Sequence, residues 1–111
     1  MSATSKRLEF LLKQTAPGGA AASDPFAWYG LAMEYKSLGR PDDAVATFTR
    51  LRAIDPGYVP QYLMCGSLLL DLGRHVEARD WLTEGATTAR VKGDGHALSE
   101  IEDALARLPQ D

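Results

Sequence analysis

The sequence predicts an all-α chain made of two tandem helical hairpins with one further helix at each end. Three observations predict this. The chain repeats itself without a gap at a separation of 34 residues, so that Trp28 falls on Tyr62, Leu38-Gly39-Arg40 on Leu72-Gly73-Arg74, Ala44 on Ala78 and Phe48 on Leu82. Each copy splits at its Leu-Gly-Arg into two segments with apolar residues at helical spacing. No segment alternates apolar and polar residues with the β-branched enrichment of a strand.

Taken in order, residues 4–15 read as a helix that Thr4 or Ser5 can cap, with Leu8, Leu11 and Leu12 as its apolar stripe. Residues 16–24, rich in Ala, Gly and Pro, read as a flexible linker. Asp24 caps the next helix, near 25–38, and Pro25 opens it. Trp28, Leu31, Ala32 and Tyr35 form its stripe, with Trp28 as the expected core anchor. Its loss would then cost about 3–5 kcal/mol. Pro41, Asp42 and Asp43 suit the start of a helix near 42–54, whose face carries Ala44, Val45, Phe48, Leu51 and Ile54. The second copy is expected near 60–72, with Tyr62, Cys65, Gly66 and Leu69, and near 75–91, with Val76, Ala78, Leu82, Gly85 and Ala86. Gly93 ends that helix, and a last one near 96–108 carries Leu98, Ile101, Leu105 and Leu108.

Trp28, Leu31, Ala32, Tyr35, Ala44, Phe48 and Pro56 closely match the W-x2-L-G-x2-Y, A-x3-F and P pattern, with Ala32 in place of glycine. On these residues the chain resembles the tetratricopeptide-repeat family. The second copy is looser: Tyr62, Cys65, Leu69 and Leu82 stand for the tryptophan, leucine, tyrosine and phenylalanine, Arg90 for the proline, while Gly66 and Ala78 match. With its leading RLEFLLK helix and closing GDGHALSEIEDAL segment, the chain looks like small stand-alone bacterial proteins of that family. The resemblance implies a two-repeat array in right-handed superhelical packing. Its parts are an N-terminal helix (1–15), a linker (16–24), repeats at 25–58 and 59–92, and a capping helix (93–111). Two repeats alone bury little core, so flanking helices are expected to close the ends.

The resemblance also implies a concave groove lined by the first helix of each repeat, and no specific activity. Its lining is expected from Phe26, Tyr29, Met33 and Lys36 in the first repeat and from Leu63, Met64, Ser67 and Leu70 in the second. Better-known members grip a peptide's C-terminal carboxylate with lysines, arginine and asparagines on these faces. Tyr29, Met33, Leu63, Met64 and Ser67 occupy those positions here, so no such clamp is expected. The apolar surface instead suits an amphipathic helix or peptide, with methionines adapting to its shape. The alternatives are that the chain's own terminal helix covers the groove, or that this helix enters a second copy's groove to make a homodimer.

Composition supports a binding role. Apolar residues make up 45% of the chain, enough for a packed core. The net charge is −3, with no basic run, which argues against nucleic-acid binding. No apolar run is long enough to cross a bilayer, and the Leu8–Leu12 stretch, broken by Glu9, is too short for a signal peptide. A single cysteine, Cys65, fits a reducing, cytoplasmic setting. Catalytic, metal and cofactor sites are not expected. Cys65 stands at a core position of the pattern, and His75 and His96 lie at helix starts away from it. A small hydrolase or metal-dependent enzyme using these groups is a remote alternative.

Overall fold

The computed structural model describes residues 3–109. Among them are six helices and no strand: α1 (Lys6–Thr15), α2 (Pro25–Ser37), α3 (Pro41–Ile54), α4 (Pro60–Asp71), α5 (His75–Lys92) and α6 (Gly95–Ala106). The chain divides into two compact units, Met1–Pro56 and Gly57–Asp111.

In the first unit Ser5 caps α1. Its hydroxyl accepts from the Leu8 amide at 2.9 Å and donates to Glu34 on α2 at 2.8 Å. The helix packs on α2 through Leu8 and Leu11, which meet Leu31, with Trp28, Tyr35 and Leu38 around them. Leu12, expected in the stripe, is instead 41% exposed. Leu8, Leu11 and Thr15 lie on one line of the helix, and Leu12 sits about 100° round from Leu11, off the line that faces α2. Residues 16–24 form successive turns. The Gly19 amide donates to Ala16, the Ala21 amide to Gln14 and the Asp24 amide to Ala21.

Trp28 packs where α1, α2 and these turns meet. It is half-buried, its indole N–H donates to the Ala22 carbonyl at 2.9 Å, and Arg50 lies over its ring. It therefore anchors α1 and the connecting turns, and is not the fully enclosed residue the repeat pattern implied. Its truncation is expected to cost less than a fully buried tryptophan's. The α2–α3 hairpin buries Ala44, Phe48 and Leu51 completely, and Tyr29 meets Phe48 edge-on at 6.2 Å between ring centres.

Both repeats turn between their helices in the same way. Gly39 and Gly73 adopt φ of 71° and 76°, a left-handed conformation that a Cβ opposes. The amides of Gly39 and Arg40 then donate to the carbonyls of Lys36 and Tyr35. Those of Gly73 and Arg74 donate to Leu70 and Leu69, which satisfies the helix ends. The arginine that follows each glycine reaches the acid three residues on, Arg40 to Asp43 and Arg74 to Glu77. The hydrogen-bonded Arg74 guanidinium holds the Glu77 carboxyl below its ordinary range.

In the second unit Tyr62, Cys65 and Leu69 of α4 are fully buried. Trp81 of α5, absent from the expected stripe, is only 3% exposed, and its ring centre lies 5.9 Å from that of Tyr62. Val76, expected in that stripe, is 86% exposed. The buried line of α5 runs Ala78, Trp81, Leu82, Gly85, Ala86 and Ala89, and Val76 stands about 200° round the helix from Ala78. The α6 helix closes the unit against α5 and α4 with Ile101 and Ala104, followed by Leu108.

Candidate protein-interaction surface

The eight expected lining residues fall on the two first helices of the repeats. On α2, Tyr29 and Met33 are half-buried, Lys36 is exposed and Phe26 is 72% exposed. On α4, Leu63, Met64, Ser67 and Leu70 are all half-buried. The cause is the same in both. The buried line of each helix is spent inside its own unit, and these residues lie beside it.

Three of the four α2 residues, Phe26, Tyr29 and Met33, line a pocket of about 410 Å³ within the first unit. Its other wall is α1, through Arg7, Phe10, Leu11 and Gln14. The α1 helix thus packs alongside this face of α2 and leaves a cleft between them. Gly30 lines this cleft without a side chain. A Cβ there would meet nothing nearer than Leu11 Cδ2 at 3.8 Å and an Arg7 terminal nitrogen at 4.0 Å. The repeat register puts Met64 at the matching position of α4.

The sequence leaves open that the terminal helix covers the groove, but points only to Leu8, Leu11 and Leu12 on it and not to Arg7, Phe10 and Gln14, which complete this wall. Phe10 is the signal that marks it: a large apolar residue off the stripe, 60% exposed, and three residues from Arg7. Lone exposed apolar residues are common, but Phe10 and Phe26 flank one pocket.

The groups with chemical potential lie elsewhere. Cys65 is fully buried, His75 is exposed, and His96, 88% exposed, pairs with Glu100. Among the described residues no three of His, Cys, Asp and Glu converge as metal ligands. Among them, too, no helix is long and apolar enough to cross a membrane.

The family model of the tetratricopeptide repeat matches residues 25–58. No curated protein matches the chain. Among the solved structures that match are two of a tetratricopeptide repeat domain protein from Salinibacter ruber. The solution NMR structure is 37% identical with a TM-score of 0.71, covering 76% of this chain and 85% of that one. The crystal structure has the same identity and TM-score, covering 76% of this chain and 93% of that one. The repeat register, the shared turn geometry and these likenesses agree: the chain belongs to the tetratricopeptide-repeat family, whose fold generally serves protein–protein interaction without catalysis.

Proposed function

We propose that the chain is a cytoplasmic adaptor that binds an amphipathic helix or peptide of a partner protein, with the outward face of α2 and that of α4 each serving as a docking surface. The observation that carries this reading is the apolar pocket of about 410 Å³ beside two exposed phenylalanines, Phe10 and Phe26. Apolar surface left open on a soluble protein commonly marks a binding face. Tyr29, Met33, Leu63, Met64 and Leu70 supply adaptable or large apolar contacts, with Lys36 and Ser67 as polar neighbours. The chain's single cysteine, Cys65, is buried, which fits a reducing compartment.

The test is a double variant, Met33→Glu with Leu63→Glu. Both side chains are half-buried and lie off the buried stripes, so helical content by circular dichroism is expected to stay unchanged. Partner capture should fall by about tenfold or more, because docking would bury an unpaired carboxylate at each face. Undiminished capture by a folded double variant would remove these two faces from the binding site.

A further inference from the structure

We propose that the α1–α2 pocket receives one large apolar side chain of a partner helix that carries an aspartate or glutamate one turn away, with that carboxylate pairing with Arg7. The proposal rests on the reading of the chain as a helix-binding module and specifies what its partner must look like.

The pocket is apolar apart from Arg7, Gln14 and the Tyr29 hydroxyl, and Gly30 lines it with bare backbone. Its volume is near the lower end of ligand-pocket sizes, roughly 300–1,000 Å³. That is room for a single large side chain and too little for a whole helix. Arg7 supplies the charge. Its guanidinium lies over Gly30, its side chain is 68% exposed, and among the described residues its ion pair is one contact from Nε to Glu34 at 3.5 Å. Glu34 also takes the 2.8 Å hydrogen bond from Ser5, so its charge is shared. A guanidinium has five N–H donors in a planar fork that matches a carboxylate, and most of Arg7's remain for a ligand. Around Arg7, α1 exposes Lys6 and Lys13 against the single acid Glu9, while on the α2 side Lys36 is exposed beyond Met33 and Asp24 is exposed before Phe26. Phe10 and Phe26 extend the apolar surface beyond the pocket mouth. A small carboxylate would leave them bare, whereas the flanking residues of a helix would cover them.

The probes are two fluorescently labelled, end-capped helical peptides of about 16 residues, long enough to hold a helix. Both carry a central phenylalanine, with either glutamate or glutamine four residues later. By fluorescence anisotropy the glutamate peptide should bind the full chain roughly threefold to tenfold more tightly than the glutamine peptide, as a partly exposed charged contact allows. Arg7→Gln should erase that preference while retaining the weaker binding. Gly30→Leu, which puts a side chain into the lining, should abolish binding of both peptides. Phe26→Ser, at an exposed site, should weaken both and serves if the Gly30 variant does not fold.

Equal affinities for the two peptides, both lost in Met33→Glu with Leu63→Glu, would overturn the acidic anchor and leave the helix-binding reading standing. A preference that survives Arg7→Gln would overturn the assignment of Arg7. Failure of both peptides to bind would overturn the proposal, and capture of a protein partner through the same faces would then show that the broader reading survives. Pocket amide resonances that move on dilution of the protein alone would give the site to a second copy of the chain. Full displacement by decanoate would give it to a small amphiphile. Either result would overturn the peptide assignment.

Discussion

Replacing Trp81 by alanine is expected to destabilise the protein by about 3–5 kcal/mol, the range for a large aromatic removed from a core. The indole is 3% exposed and stacks obliquely on Tyr62, which is itself fully buried and hydrogen-bonds Glu84 at 3.1 Å. Truncation would leave a cavity beside an aromatic ring that cannot follow it, since Tyr62 is held by that bond and by α5. A small protein has only about 5–15 kcal/mol in total, so the variant should melt roughly 10 °C or more below the parent. Calorimetry or denaturant titration checks this. A loss below about 1 kcal/mol would mean that the α4–α5 interface is not closed around Trp81.

The second large effect is expected at Gly85, and it should differ from that at Gly66. A Cβ added to Gly85 would overlap the Cβ of Tyr62 and come within 3.2 Å of Ile101 Cδ1. The Tyr62 Cβ is fixed to the α4 backbone, so relief requires the helices to part. Overpacking of this kind costs typically about 1–3 kcal/mol, sometimes more. That outweighs the roughly 1 kcal/mol alanine gains over glycine inside a helix. At Gly66 the clash is with Leu82, 2.5 Å from Cδ2 and 2.6 Å from Cγ. A leucine side chain can change rotamer, so Gly66→Ala should be the milder of the two. Denaturation midpoints of the two single variants test the order. Gly85→Ala being as stable as the parent would contradict the close α4–α5 approach.

Much of the architecture was legible because each copy punctuates itself. Gly39, Gly73, Pro25, Pro41 and Pro60 fix helix ends by backbone chemistry, so expected boundaries lie close to those found. Side-chain burial was less legible, for identifiable reasons. Trp81 falls on Thr47 in the repeat register. Thr47 is also buried, but a threonine gives no apolar signal that would mark the position as core. Val76 falls on Asp42, an exposed acid, so the register itself spoke against placing it inside. Trp28 and Tyr62 are equivalent in sequence but not in surroundings. Trp81 packs on Tyr62, whereas Trp28 is covered by α1 and the connecting turns and remains half-buried.

The candidate surface divides in the same way. Its α2 and α4 residues follow from helical geometry once the buried stripe is known. The α1 wall does not, because α1 lies outside the repeats and its placement depends on the turns of residues 16–24. Gly30, where the second repeat has Met64, became meaningful only once α1 was seen to pass beside it.

Carbon-13 labelling of the methionine methyl groups tests the central claim most directly, since Met33 stands on the α2 face and Met64 on the α4 face. Met33→Leu and Met64→Leu assign the two signals. On titration with a capped amphipathic helical peptide, both methyl resonances should shift and saturate together with the binding curve. Saturable binding that leaves both methyl signals in place, with amide shifts confined to α3 and α5, would contradict the account.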